Sequence, residues 1–281
     1  MNLIVMNRLD RIHQKRVVAA LVEGNSLRAT ARMTGVARMT VEKLFRDLGT
    51  ACAKFQNNAF RNLTCRRIEL DEIWAFCGAK QKNASEAKKA QGLGDVWTWT
   101  AIDADTKLIA SWLVGKRDAE CATEFVQDLA ARLRNRVQLT SDGHKSYLVA
   151  VESAFGADVD FAQLIKIYGK PTLEKDAEAR YSPPQCIGIE TKIITGDPDP
   201  GHISTSYVER QNLTMRMHMR RFTRLTNGFS KKLENHAHAV SLHCAYYNFV
   251  KIHQTLKMTP AMAAGVTNHL WEIEDLLALL D

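Results

Sequence analysis

Residues 67–76 read Arg-Ile-Glu-Leu-Asp-Glu-Ile-Trp-Ala-Phe, and this run decides the fold of the chain. Apolar and charged residues alternate along it, which predicts a β-strand with Asp71 and Trp74 on different faces. Two further strands, 96–103 and 108–114, flank an Ala-Asp-Thr-Lys connection that is typical of a hairpin. Helices and strands then alternate: a helix at 118–134, a strand at 137–142, a helix at 144–155 and a strand at 159–168. This order predicts an α/β fold in which helices flank a mixed sheet.

The N-terminal segment, residues 1–66, is the most basic part of the chain, with twelve Lys and Arg residues against four Asp and Glu residues. Helices are predicted at 10–22, 27–33 and 38–48, the last one followed by Gly49 and a helical connector over 50–66. This spacing is typical of a helix-turn-helix domain that precedes the sheet. Its second member would present Arg38, Met39, Thr40 and Lys43 to DNA. A three-helix bundle without a DNA role is the alternative, and the basic charge favours DNA binding.

The second half of the chain divides at three places. Residues 169–203, rich in proline and glycine, are interpreted as an irregular insertion. A long helix is predicted from Phe229 to His253 and closes a central domain of residues 67–253. Thr259-Pro260 then opens a helical segment within residues 254–281.

The stretch from Ser204 to Leu225 predicts a helix with two distinct faces. Apolar side chains form one stripe, made of Val208, Met215, Met219 and Phe222. Glu209 falls together with Arg216 and Arg220 on the other face. Glu209 is the one acidic residue between Ser204 and Lys232, against seven Lys and Arg residues. Such a face suits a polyanion, although a solvated helix with internal ion pairs fits the spacing equally well.

Composition excludes several classes of protein. The chain of 281 residues has a net charge of +7, and its six cysteines form no Cys-x-x-Cys pair, so neither a zinc ribbon nor a disulfide framework is predicted. No apolar run reaches the length of a membrane span, and the first residues are too short an apolar run for a signal peptide. We therefore expect a protein of the reducing cytoplasm, with nucleic acid as its partner and without contact to a membrane.

Three segments carry a resemblance to a known family. They are Leu-Asp-Glu-Ile-Trp (70–74), Thr-Ser-Asp-Gly-His-Lys-Ser-Tyr (140–147) and Tyr-Val-Glu-Arg-Gln-Asn-Leu-Thr-Met-Arg (207–216). They resemble the acidic triad of DDE transposases of the IS1 insertion-sequence family, and residues 223–232 are similar to the stretch that follows the glutamate. The resemblance covers nearly the whole chain, but the cysteine-rich zinc ribbon of familiar members is missing, and the interval from Asp142 to Glu209 is longer.

The resemblance implies an RNase H-like catalytic domain in which Asp71, Asp142 and Glu209 hold two Mg²⁺ ions, for which Mn²⁺ can substitute. It also implies cleavage and strand transfer of double-stranded DNA at the inverted-repeat ends of a bacterial mobile element. A homodimer or higher oligomer would hold two ends, and the protein would lie on the nucleoid when bound to DNA. The basic residues Arg210, Arg216 and Arg220 would then grip phosphates beside the metals.

Other acidic residues compete for the site. Asp103 and Asp105 lie in the hairpin turn and are interpreted as structural. Glu72 follows Asp71, so we expect it on the opposite face and rank it as a weak candidate, whereas Glu69 shares the face of Asp71 as a supporting group. His144 and Lys145 follow Asp142 and are interpreted as the exposed start of a helix, with contact to DNA or the metal shell as the alternative. Glu234, His236 and His238 are interpreted as satisfied or exposed helix residues and not as metal ligands. A catalytically silent DNA-binding repressor, or a decayed copy of a transposase, is the alternative function.

Overall fold

A six-stranded mixed sheet forms the centre of the structure, a computed structural model that describes residues 9–169, 186–223 and 227–281. Its strands are β1 (Arg67–Cys77), β2 (Gly94–Asp103), β3 (Ile109–Gly115), β4 (Gln138–Ser141), β5 (Asp160–Tyr168) and β6 (Cys186–Thr195). They lie in the order β3-β2-β1-β4-β5-β6. The pairs β1–β2, β2–β3 and β5–β6 are antiparallel, and the pairs β1–β4 and β4–β5 are parallel. The predicted α/β class with a mixed sheet is confirmed.

Helices flank the sheet and precede it. The described helices are α1 (Arg11–Val22), α2 (Leu27–Thr34), α3 (Arg38–Ala59), α4 (Glu86–Ala90), α5 (Ala119–Ala130), α6 (Ser146–Phe155), α7 (Ser206–His218), α8 (Leu233–Ala245), α9 (Pro260–Ala263) and α10 (Ile273–Ala278). A π-helical turn, Tyr246–Val250, extends α8. Side chains of Asp10, Ser26 and Asp118 accept backbone N–H groups at the starts of α1, α2 and α5. Within the three described ranges, none of the helices combines the length and the hydropathy that a membrane-crossing segment requires.

Strand β1 is buried on both faces because the sheet separates two hydrophobic cores. Ile68 and Leu70 point into a core shared with α5 and α6. Ile73 and Ala75 point the other way, into a core shared with α1, α3, α7 and α8. The alternation in residues 67–76 therefore specifies two apolar faces. The helical N-terminal segment packs directly on the sheet domain through the second core.

The predicted boundary at Gly49 is wrong, because α3 continues through this residue to Ala59. Gly49 lies where α3 packs against α8. A Cβ atom at this position would lie 2.6 Å from the Cβ of His238. Ser241 Oγ donates to the Gly49 carbonyl at 2.7 Å across the same contact. The glycine permits the close approach of two helices, and the predicted connector over 50–66 is in large part the second half of α3.

Part of the predicted irregular insertion is also wrong. Residues 186–195 form β6, which pairs with β5 and ends the described sheet. Residues 170–185 of the predicted insertion lie outside the described residues. The helix predicted from Phe229 to His253 is shorter at both ends, since α8 begins at Leu233 and its π turn ends at Val250. The three N-terminal helices follow one another as expected, and their DNA role stays a prediction.

Candidate functional site

Parallel pairing of β1 with β4 brings Asp71 and Asp142 together. Leu70 pairs with Ser141 in this register, and the two aspartates are the next residue of each chain segment. One carboxylate oxygen from each of Asp71, Asp142 and Glu72 lies within 4.8 Å of the other two. The predicted proximity of Asp71 and Asp142 is confirmed, and these three residues are the one such acidic group in the described part of the chain.

Asp142 begins a turn that neighbouring groups hold in place. Its Oδ1 atom accepts the backbone N–H of His144 at 2.9 Å. The buried Gln163 side chain donates to the carbonyl of Asp142 at 2.9 Å. His144 turns its ring edge-to-face toward Trp99, 5.8 Å between centroids, whereas Lys145 is exposed. The turn therefore directs the Asp142 carboxylate toward β1, and His144 packs on the aromatic core.

Asp71 lies between β1 and α7 in a crowded acidic environment. Asn212 Nδ2 donates to its Oδ2 atom at 2.7 Å. Burial, and to a smaller extent the charges of Glu72, Asp142 and Glu209, together raise the pKa of Asp71 to about 7. Burial and like charge therefore both disfavour the ionised form of Asp71.

Glu209 lies near this group, but its carboxylate is engaged elsewhere. Lys166 Nζ, from β5, contacts both carboxylate oxygens, the Oε2 atom at 2.5 Å. Thr205 Oγ1 donates to the Oε1 atom at 2.6 Å. Glu209 is consequently outside the compact group of three acids. Helix α7 nevertheless connects Glu209 to the acidic group, because Asn212, three residues after Glu209 on the same helix, donates a hydrogen bond to Asp71.

Glu69 fixes the start of α7 against β1. Its Oε2 atom accepts the backbone N–H groups of Tyr207 at 2.7 Å and Val208 at 2.9 Å. Thr205 occupies the N-cap position without a capping hydrogen bond from its side chain. A carboxylate from another element thus satisfies the first amides of α7 and favours the positive end of its dipole. Glu69 therefore connects β1 to α7, and a supporting role in the site stays a prediction.

Glu72 lies on the opposite face from Asp71, as predicted, and yet its carboxylate reaches the acidic group. The Tyr147 hydroxyl donates to its Oε2 atom at 2.9 Å, and Arg117 Nε contacts its Oε1 atom. Arg117 also lies 3.8 Å from Asp142 and stacks on the Trp97 ring at 4.8 Å. Burial raises the pKa of Glu72, and so does the charge of Asp142. The carboxylate of Glu72 therefore lies in the acidic group although the sequence ranked this residue as a weak candidate, and its role there stays a prediction.

The four residues of the predicted apolar stripe are all buried, but only Val208 and Met215 lie on α7, because the helix ends at His218. The predicted basic face is wrong for Arg220. Helix α7 ends at His218, and Met219 has an extended backbone with φ −127° and ψ 105°. Arg220 therefore begins a separate 3₁₀ turn, while Arg216 stays on α7 and Arg210 is exposed on it.

Arg220 instead shares a cavity with the N-terminal helices. The cavity has a volume of about 820 Å³ and lies between the α1–α3 segment and residues 218–231. Its basic lining residues are Arg28, Arg38, Arg220, Arg221 and Lys231, and Glu42 is its acidic lining residue. Two residues predicted as separate DNA contacts, Arg38 and Arg220, thus line one concave surface. Thr40 and Lys43 are exposed outside it, and Lys43 pairs with Asp47.

One lining residue of this cavity is structural. Arg221 is held by a 2.7 Å hydrogen bond from its Nη1 atom to Ser230 Oγ and lies over the Phe45 ring at 5.3 Å. Burial lowers its pKa to about 10. In contrast, Arg28, Arg38, Arg220 and Lys231 have no ion pair with an acidic side chain of the described residues. Four cations around one concavity attract an anion such as a phosphodiester.

The remaining histidine prediction is consistent with the structure. His236 is buried and lies 3.1 Å from Ser230 Oγ through Nδ1, and burial lowers its pKa to about 3. It forms no metal-binding group with Glu234 or His238 in the described part of the chain.

Comparison of the chain with protein-family models and with curated proteins finds no match.

Proposed function

We propose that this protein is a metal-dependent DNA transposase of the DDE type, with Asp71, Asp142 and Glu209 as its acidic triad. The observation that carries the proposal is the meeting of Asp71 and Asp142 at the ends of adjacent parallel strands, with α7 docked beside them. The sheet order, three antiparallel strands followed by two parallel ones and then the antiparallel edge strand β6, supports an RNase H-like classification. The sequence motifs that contain Asp71, Asp142 and Glu209 support the same function.

The donor set fits hard divalent cations. Asp71, Glu72 and Asp142 offer only oxygen ligands within 4.8 Å, which suit Mg²⁺ or Mn²⁺. The raised pKa of Asp71 shows uncompensated acidity that a cation would relieve. Bound divalent ions would activate water or a 3′-hydroxyl as nucleophile and stabilise the leaving 3′-oxygen of a phosphodiester.

The protein's own residues position this chemistry. Asn212 orients the Asp71 carboxylate, and Glu69 anchors α7 so that Glu209 stays beside β1. Arg117 pairs with Glu72 and lies 3.8 Å from Asp142, whose side chain keeps 39% of its surface exposed. Lys166 holds Glu209 and would offer a cation to a DNA phosphate when Glu209 is otherwise bound.

The DNA would contact two regions. Arg210 and Arg216 lie on α7 beside the acids, and the cavity lined by Arg38 and Arg220 lies at the other end of the same helix. Terminal inverted-repeat DNA that enters this cavity and follows α7 would reach Glu209. Substituting Arg38 or Arg220 with alanine should weaken binding to all sequences and lower the salt dependence by about one counterion each. Arg134→Ala, an exposed arginine on another surface, is the matched control.

The test is Mg²⁺-dependent cleavage and strand transfer on DNA that carries the inverted repeats flanking the gene. Glu209→Gln keeps the helix and removes the charge, and Glu86→Gln on the exposed α4 is the matched control. Wild type and control should cut and join, whereas Glu209→Gln should only bind. If wild type and Glu209→Gln both bind and neither cuts, the protein is the silent repressor or decayed copy. If none binds DNA, the proposal fails altogether.

A further inference from the structure

Strand β6 ends the described sheet, and eight of its ten residues are exposed. Four isoleucines stand out from it: Ile187, Ile189, Ile193 and Ile194, with exposed fractions of 66%, 62%, 56% and 40%. An edge strand also presents unpaired backbone N–H and C=O groups. A strand that is both apolar and unpaired on one side is a surface built for another strand.

The sequence of β6 says which partner fits. Residues 189–193 read Ile-Glu-Thr-Lys-Ile, so the types are mirrored around Thr191, with opposite charges at the two flanking positions. These residues lie in the regular part of the β5–β6 ladder, between its two irregularities. We propose that β6 pairs antiparallel with β6 of a second copy of this chain, with the two-fold axis at Thr191.

In this register, Glu190 lies opposite the partner's Lys192, and Ile189 lies opposite the partner's Ile193. Both pairs occur twice because the contact is isologous. Directly opposite residues attract when their charges differ and repel when they are alike. Moving the axis by one residue would place Glu190 against the partner's Glu190, or Lys192 against the partner's Lys192. Charge therefore selects Thr191 among the neighbouring residue-centred registers.

The first test reverses charges in the full-length protein. Lys192→Glu and Glu190→Lys each create two like-charge pairs in a homodimer, so each should weaken self-association by about tenfold or more. The double swap, Glu190→Lys with Lys192→Glu, should restore the affinity of wild type. An equimolar mixture of the two single variants should associate as tightly as wild type, because all charge pairs in the heterodimer are complementary. Sedimentation velocity over a micromolar concentration series gives the dissociation constants.

The second test maps the register by disulfide cross-linking in a Cys186→Ser background, which removes the exposed cysteine of β6. Thr191→Cys places two cysteines opposite each other at about 5 Å between Cα atoms, within reach of a disulfide. Ile193→Cys places them about 13 Å apart along the strands, out of reach. Rapid cross-linking of Thr191→Cys alone supports the pairing.

Three results overturn the proposal. A wild type that stays monomeric over the series excludes the dimer. A dimer that tolerates either charge reversal does not use this register. Equal cross-linking at positions 191 and 193 excludes the axis at Thr191. Circular dichroism of each variant checks the fold, and the exposed positions of β6 make its loss unexpected. The proposal does not depend on the reaction that the protein catalyses.

Discussion

Replacing Asp71 with asparagine removes a buried charge but keeps the shape of the side chain. The amide oxygen can still accept the hydrogen bond that Asn212 donates at 2.7 Å. In the wild type, the pKa of Asp71 rises from 3.8 to about 7 because of burial and the charges of Glu72 and Asp142. A rise of about three pKa units corresponds to at most about 4 kcal/mol of destabilisation at high pH.

The sign of the pH dependence follows from linkage. Below about pH 4, Asp71 is protonated in both the folded and the unfolded wild type, so the variant and the wild type should unfold with similar free energies. As pH rises toward 7, the unfolded wild type loses this proton first, and the wild type loses stability relative to the variant. Above about pH 8, Asp71→Asn should therefore be the more stable protein by up to about 4 kcal/mol.

Urea unfolding in the presence of a chelator, followed by tryptophan fluorescence, measures this difference across the pH range. Asp105→Asn is the matched control, because the hydrogen bond from Arg67 lowers the pKa of Asp105. That variant should be less stable than wild type at neutral pH, and the difference should vanish as pH falls through the folded pKa. An Asp71→Asn variant that is destabilised at pH 8, or equally affected at all pH values, would refute the view of a crowded, uncompensated acidic site.

Three further expectations concern contacts of the site and its support. Lys166→Met removes the cation that holds Glu209 and should tighten Mn²⁺ binding by about tenfold in calorimetric titration. Tyr147→Phe removes the donor to the buried Glu72 and should lower the free energy of unfolding by about 1–3 kcal/mol. Gly49→Ala should lower it by about 1–3 kcal/mol in urea titration, because its Cβ would meet α8 at 2.6 Å.

Matched controls separate these effects from general loss of side chains. Lys88→Met on the exposed α4 should leave Mn²⁺ affinity unchanged, and equal or weaker binding in Lys166→Met contradicts competition for Glu209. Tyr246→Phe removes a 3.3 Å contact at the surface and should cost less than Tyr147→Phe. Thr50→Ala lies on the exposed side of α3, and a Gly49→Ala variant as stable as this control contradicts the close helix contact.

Much of the sheet is predictable because its signals are local. The alternation over 67–76 and the hairpin at 104–107 require no knowledge of distant residues. Strand β6 was missed because the proline-rich residues before it led the whole range 169–203 to be interpreted as irregular, although its isoleucines and threonines are typical of a strand. Gly49 was wrongly predicted to end a helix, because a glycine behind a helical pattern usually does so. A glycine is required there because α8, almost two hundred residues later in the chain, packs closely against it.

The acidic residues of the site were predictable, and the residues that balance them were not. Asp71, Asp142 and Glu209 each lie in a sequence motif that resembles a known family. Lys166 and Arg117 stand in ordinary strand and loop contexts, and only the register of β5 and the end of β3 bring them to the site. Asn212 was accessible to reasoning, since it follows Glu209 by three residues and must share its helical face.

The net charge of the site is a stronger argument for cation binding than the distance between any two of its atoms. Four carboxylates, Asp71, Glu72, Asp142 and Glu209, face two cations, Arg117 and Lys166, which leaves a net charge of −2 when all are ionised. One divalent ion would neutralise this excess. The raised pKa of Asp71 means that a bound proton can offset part of the same negative charge. Two divalent ions, as the resemblance to DDE transposases implies, would leave a charge of +2 beside Arg210 and Arg216. A positive site of that kind would attract an anionic phosphodiester, so metal loading would create the binding site for DNA.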